Sequence, residues 1–313
     1  MSEIVLGADV GGTKSLLSLA EVQKGIPRVL CTARYLNDDF IDFYALLRQF
    51  LVEWASGVAI ARACFGVAGP HESDTVVLTN RLWTISCPAV SALLNGASVA
   101  LVNDFEAAAY GIELLGQDEK ITLQNGNPVA RAPQVVIGAG TGLGIAYRIW
   151  NGTHYRVVPG EGGHMGFAPA DETQMRIWHH VHAAEGRVSS EMLVSGGGLA
   201  RIYAALGGET ILPAEVTQRA AAQELRAREA VEIFARCYGA VAGDHALAIM
   251  ARGGVFLAGG IAPRIHTTLQ ASGLLHAFNS KGQHSLVVQR MPLHLVLNAE
   301  LGLLGAVLNA ARG

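Results

Sequence analysis

Disulfide and zinc chemistry have little to work with in this chain. It holds four cysteines, Cys31, Cys64, Cys87 and Cys237, far apart and without a C-x-x-C pair. A zinc site or a disulfide framework is therefore not expected, and all four are read as buried free thiols. Charge is scarce as well: charged residues make up 16% against 50% hydrophobic, the balance of a compact globule with much buried surface. The net charge of −3 leaves no basic excess for nucleic acid or for an anionic membrane surface. No apolar run approaches the roughly 18 uninterrupted residues of a membrane span. The first residues also lack the basic-then-apolar pattern of a secretory leader, since Glu3 precedes only a short strand. These absences predict a cytoplasmic protein, and 313 residues predict about two domains.

Glycine is what the chain has in excess, 37 residues of 313, well above the ~7% typical of proteins. The glycines gather in turns. "IVLGADVGGTKSLL", Ile4–Leu17, has the Gly7-x4-Gly12 spacing of a phosphate loop, but Thr13 stands where the loop lysine belongs, and Lys14-Ser15 follow out of frame. A phosphate loop must also open into a helix. Here "KGIP", Lys24–Pro27, soon interrupts the chain, and "RVLCTARYL" is rich in strand-forming residues. A meander of three strands is expected, although "SLLSLAEV" by itself reads equally as a short helix. The first turn then becomes a hairpin tip whose backbone N–H groups form a small anion nest. Gly11 and Gly12 are expected there for positive φ and for room beside a ligand, and Lys14 receives no catalytic role.

A second stretch, "VVIGAGTGLGIAYRIW", Val135–Trp150, approaches a dinucleotide fingerprint but has Leu143 where the last glycine should be, and it continues as a strand rather than a helix. Both stretches put Gly-Ala at the end of an apolar strand and then a glycine-threonine turn, an echo that predicts two related halves. Between them, "FYALLRQFLVEW" carries Phe43, Leu46, Leu47, Phe50, Leu51 and Trp54 on one helical stripe.

Chemistry-bearing side chains stand beside these turns. In "ASVALVNDFEAAAYGIELL" an apolar strand ends at Asn103-Asp104 and an Ala-rich helix follows. From the residues alone, Asp104 is either a helix cap or a carboxylate in the crevice at the strand's C-terminal end, where open α/β sheets bind ligands. Asn103 is either an Asx-turn residue or a partner for a ligand hydroxyl. Glu191, after "GRVSS", is either a first-turn glutamate favoured by a helix dipole or a ligand-binding carboxylate. His179, His180 and His182 do not share one helix face as a metal site would require, and are read as surface residues.

"GADVGGTKS", "LTNRLW", "LVNDFEA", "GAGTGLG", "PGEGGHMGFAP", "VSSEMLVSGGGL" and "GGVFLAGGIAPR", in this order and over nearly the whole chain, resemble the bacterial glucokinase family. These are hexokinases of the actin-like ATPase superfamily. The neighbouring repressor–open-reading-frame–kinase family usually has a cysteine cluster after its glycine-histidine stretch, and "TQMRIWHHVHAAEG" has none. The resemblance implies an α/β, two-lobed actin-like ATPase (ribonuclease H-like) fold with an interlobe cleft. Residues 1–106 would form the smaller lobe, completed by a C-terminal helix over 299–313, and 107–298 the larger.

It further implies ATP-dependent phosphorylation of the glucose 6-hydroxyl. Asp104 would be the base, and Asn103, Asp104, Glu161, His164 and Glu191 would bind the sugar. Ala8, Asp9, Val10, Gly11, Gly12 and Thr13 would form one phosphate loop, Gly140, Thr141 and Gly142 another, and Gly259 and Gly260 the adenosine segment. Mg²⁺ would be oriented by Asp9 through water. The implied partners are glucose and ATP in a homodimer, without nucleic acid or membrane. A fructose or mannose kinase is an alternative. So is a sugar-sensing regulator of the same fold, which would need a DNA-binding segment where only three residues precede Ile4. A filament or chaperone ATPase would have no purpose for the Asn-Asp and Gly-Glu-Gly-Gly-His elements.

Overall fold

A computed structural model describes residues 3–69, 74–78 and 81–313. Thr79 and Asn80 of "LTNRLW" lie outside the described residues. The chain divides into two units, 1–115 with 300–313, and 116–299.

In the first unit β1 (Glu3–Val10), β2 (Lys14–Gln23) and β3 (Ile26–Leu36) form an antiparallel meander. The stretch "SLLSLAEV" is thus a strand. Its reason is burial on both faces: Leu17 and Leu19 join the core against α1 (Phe43–Trp54), while Leu16, Ala20 and Val22 pack with the C-terminal helix Leu301–Arg312. Two serines in this buried strand are satisfied, Ser15 donating to Asn37 Oδ1 (2.8 Å) and Ser18 to the Cys31 carbonyl (2.8 Å). Strand β4 (Ile60–Val67) joins β1 in parallel, β5 (Thr75–Val77) and β6 (Thr84–Ser86) pair apart, and β7 (Ser98–Asn103) joins β4 in parallel. The sheet order is β3-β2-β1-β4-β7. Helix α1 is capped by Asp42, which accepts from the Ala45 N–H at 2.7 Å. Its stripe is buried through Phe50, whereas Trp54 at the helix end is 47% exposed.

After α2 (Cys87–Leu93), helix α3 (Asp104–Gly111) packs on the C-terminal helix at backbone distance. A Cβ on Gly305 would lie 1.6 Å from the Ala107 carbonyl oxygen, and one on Gly111 would lie 2.2 Å from that of Leu301. This close approach is why the unit boundary falls after α3, at Leu115, and not at 106.

The second unit repeats the pattern. After β8 (Lys120–Gln124), the meander β9 (Gln134–Ala139), β10 (Leu143–Trp150) and β11 (Tyr155–Gly160) is antiparallel, and β12 (Gly254–Ala258) and β13 (Leu293–Val296) add in parallel on the other side of β9. The order is β11-β10-β9-β12-β13-β8. The echo between the two glycine turns is therefore an echo of topology: in each unit the turn joins the first two strands of a meander that is extended by two parallel strands. Helices α4 (Glu172–Glu185), α5 (Gly196–Ala205), α6 (Pro213–Ala221) and the long α7 (Leu225–Ala248) pack around it. Tyr238 of α7 donates from its buried hydroxyl to the carbonyls of Ile137 (2.8 Å) and Ala258 (3.2 Å), tying the helix to β9 and β12.

All four cysteines are free, but only Cys64 and Cys237 are buried; Cys31 and Cys87 are partly exposed, Cys31 because it lies on the sheet's edge strand β3 and Cys87 because it begins the short surface helix α2. Burial pushes the Cys237 thiol up to about 12. Among the described residues no three His, Cys, Asp or Glu side chains are placed to hold a metal directly, and no helix is long and apolar enough to cross a membrane. His182 stacks on Trp178 with ring centroids 4.7 Å apart.

Candidate active site

In the first unit the tip of β1–β2 closes with the Gly11 N–H donating to the Lys14 carbonyl (3.1 Å). Neither Gly11 nor Gly12 has the positive φ expected of them. Room is the reason for glycine at position 11, where a Cβ would come within 3.3 Å of the Lys14 oxygen. The tip is clamped by Asn37, a fully buried residue. Its amide donates to the Gly11 carbonyl (2.8 Å), its backbone N–H to the Thr13 carbonyl (2.9 Å), and its Oδ1 accepts from Ser15. Asn37 was not found by sequence reasoning, because nothing local marks an asparagine just after a strand as a clamp. The tip borders a cavity of about 280 Å³ lined by Asp9, Gly11, Gly12 and Thr13, and also by Lys14 and Arg34. Ala8 and Val10 are fully buried and stand in the core behind the tip, not on the cavity wall.

Asp9 stands at this cavity, and a Cβ on Gly302, in the first turn of the C-terminal helix, would lie 3.2 Å from its carboxyl group. Its pKa is raised to about 6, first by burial and then by the charge of Asp104, with Glu300 adding to the rise and Lys14 opposing it.

At the end of β7 the structure separates the two neighbours. Asn103 caps α3, its Oδ1 accepting from the N–H groups of Phe105 (2.9 Å) and Glu106 (3.3 Å). Capping thus falls to Asn103 and not to Asp104, which begins the first turn with Oδ1 against its neighbour's N–H at 2.8 Å. The amide nitrogen of Asn103 donates to the Gly69 carbonyl at 3.4 Å, while its oxygen is committed to the cap.

In the second unit the candidate residues gather. The Gly140 N–H donates to the Gly142 carbonyl (2.8 Å), and the Gly196 N–H at the start of α5 donates to the Gly140 carbonyl (2.8 Å). Glu191 Oε2 accepts from the Leu143 N–H at 2.8 Å, and the backbone N–H of Glu191 donates to the Gly163 carbonyl at 2.9 Å. Glu191 therefore joins the second glycine turn to the Gly-Glu-Gly-Gly-His segment and is not a dipole-favoured first-turn residue, since α5 starts later. Glu161 and His164 face each other across that segment, His164 Nε2 to Glu161 Oε2 being 3.7 Å, with side chains 90% and 62% exposed. Gly259 has φ +88°, and a Cβ there would meet the Ala139 carbonyl oxygen at 2.4 Å, while the Ile261 N–H donates to that oxygen at 3.2 Å. The adenosine candidate thus adjoins the second turn.

Two further residues escaped the sequence reading. Tyr147 and His245 share a hydrogen bond of 2.7 Å. His245 Cε1 would be 2.8 Å from a Cβ on Gly162, and Tyr147 Cε2 3.8 Å from one on Gly160. The two rings lie directly beneath the backbone that carries Glu161.

The model of the family described as Glucokinase matches residues 6–312. The chain belongs to the glucokinase family. A glucokinase of a Nostoc species is 34% identical to it, over 99% of each chain. The crystal structure of a glucokinase from an Antarctic psychrotroph superposes with a TM-score of 0.92 at 26% identity, covering 99% of both chains. A glucokinase of Streptomyces griseus solved with glucose and AMPPNP shares the fold, with a TM-score of 0.61 at 20% identity over 99% of this chain and 100% of that one. The fold is that of the actin-like ATPases.

Proposed function

We propose that this chain carries out its family's reaction, transfer of the terminal phosphoryl group of ATP to the 6-hydroxyl of glucose, with Asp104 as the base. The observation that carries the reading is the division of labour at the end of β7. Because Asn103 caps α3, the helix has no need of Asp104 for that purpose. A carboxylate at a strand's C-terminal end is placed to accept the hydroxyl proton as the oxygen attacks phosphorus. Glu161, His164 and Glu191 receive the ring hydroxyls, to which carboxylate oxygens are strong acceptors. One oxygen of Glu191 is held by Leu143, which fixes the direction of the other.

The backbone N–H groups of the two turns, Gly11–Thr13 and Gly140–Gly142, that do not close the turns themselves hold the polyphosphate with the hydroxyls of Thr13 and Thr141, and Gly259-Gly260 packs under the adenosine. Asp9 suits a magnesium ion held through water. Its pKa is raised first by burial and then by the charge of Asp104, so a cation beside it would favour the ionised carboxylate, and Mg²⁺ is usually held by one or two carboxylates, substrate phosphates and several waters. When bound, the ion would neutralise charge developing on the phosphate oxygens. A homodimer in the cytoplasm completes the reading; it rests on the family resemblance, and light scattering would measure the assembly.

A coupled assay over glucose, fructose and mannose with ATP tests the function. Turnover of glucose that collapses in Asp104→Asn supports it. A faster rate on another hexose, or no rate on any, overturns it.

A further inference from the structure

The first phosphate turn is short, and its cavity reaches beyond it to β3. Strand register explains which side chains arrive there. Asp9 pairs with Leu16 across β1 and β2, and Leu16 pairs with Arg34 across β2 and β3; Lys14 pairs with Leu36. Directly paired residues of neighbouring strands lie on the same sheet face, so Asp9, Leu16 and Arg34 form one row across the sheet. Lys14, two residues from Leu16 along β2, shares that face. Two strand spacings separate Asp9 from Arg34, roughly 10 Å between backbones. The buried Leu16 lies between them, and the charge of Arg34 is not among those that shift the Asp9 carboxyl.

Arg34 and Lys14 are both exposed and line the cavity with Thr13. Among the described residues neither pairs with a carboxylate, whereas Arg28 on the same strand is paired with Glu21 at 2.8 Å. The turn therefore has two cations on the far wall of its cavity: Lys14, whose charge reaches the Asp9 carboxyl, and Arg34. An arginine fork is suited to two oxygens of one phosphate at once.

We propose that Arg34, with Lys14 beside it, is a phosphate-binding residue that takes the phosphate group lying over the β1–β2 turn. The inference rests on the reading of that turn as a nucleotide loop. The terminal phosphate of ATP and the ester phosphate of glucose 6-phosphate present the same chemistry, so both are probed.

The test is calorimetry of ATP, glucose 6-phosphate and glucose binding to the whole chain and to Arg34→Ala, Arg34→Lys, Arg28→Ala and Gly12→Val. Arg34→Ala should weaken ATP, glucose 6-phosphate or both by about tenfold or more, the scale of one charged hydrogen bond. Whichever phosphate loses affinity identifies the source. Arg34→Lys should recover part of the loss, and Arg28→Ala should bind as the unmodified chain does. Glucose affinity and Tm should not move in either Arg34 variant. Unchanged affinity for both phosphates in Arg34→Ala overturns the proposal, as does a loss of glucose affinity or of Tm in parallel. If Gly12→Val binds ATP normally, the nucleotide reading of the turn fails instead, whatever Arg34 does.

Discussion

Glu191 accepts a hydrogen bond of 2.8 Å from the backbone N–H of Leu143, and its carboxylate fills the space that a side chain on Gly142 would need, 2.5 Å from an added Cβ. One residue thus holds the second glycine turn and, in the proposed reading, also binds the sugar. Glu191→Gln retains an amide oxygen for Leu143 but loses the charge, so glucose affinity should fall by the ~1.5–3 kcal/mol of a charged hydrogen bond with Tm nearly unchanged. Gly142→Ala should displace the carboxylate and raise KM for glucose with the fold intact. Early melting of Glu191→Gln with normal glucose binding would make Glu191 a purely structural residue.

The pair at the end of β7 separates by mutation. Asn103→Ala removes the cap of α3 and should cost about 0.5–2 kcal/mol of stability, measured by denaturant unfolding. Asp104→Asn preserves shape, so kcat should fall by roughly 10²–10⁴ with ATP binding retained. Activity of Asp104→Asn within threefold of the unmodified chain would remove it from the chemistry.

Asp9 sets a pH dependence. Its carboxyl is raised from 3.8 to about 6 in the folded chain, so the folded state holds this proton more tightly than the unfolded state. The stability it contributes is full below about pH 3.8 and is lost as pH rises through about 6. Asp9→Asn should therefore melt later than the unmodified chain at pH 7–8 without Mg²⁺ or ATP, by roughly 1–3 kcal/mol, and the gain should shrink toward pH 4. A gain independent of pH across that window would contradict the assignment.

What the sequence disclosed is what short-range chemistry controls: the glycine turns, the meanders and a polar pair ending a strand. It left Asn103 and Asp104 undivided, because helix boundaries read from sequence shift by a residue or two and either side chain is a good cap. Positive φ at Gly11 and Gly12 was a wrong inference for a related reason: glycine serves close approach as well as handedness, and only coordinates distinguish them. The residues missed altogether are joined across long separations. Asn37 reaches Ser15 across 22 positions and Tyr147 reaches His245 across 98, contacts set by strand register and by where α7 lies, neither of which leaves a local pattern.

The hydrogen-bonded rings of Tyr147 and His245 predict a brace beneath the turn proposed to bind the sugar. His245 is buried, and Gly162 has no room for a side chain above it. Burial holds the imidazole pKa below its usual range, with Asp244 pulling the other way, so the ring is neutral at neutral pH. The folded state binds this proton less tightly than the unfolded one, and the brace is therefore weakened as pH falls below the ordinary histidine range. Tyr147→Phe removes only the hydroxyl and should cost about 1 kcal/mol; His245→Leu keeps the bulk and removes the same bond. Each should raise KM for glucose severalfold with little change in kcat, since neither side chain is assigned a proton or a phosphate. The double variant should be no worse than the more affected single one, because one bond cannot be lost twice. Additive losses of stability, or KM unchanged in both single variants, would show that the rings support the core of the second unit and not the turn bearing Glu161.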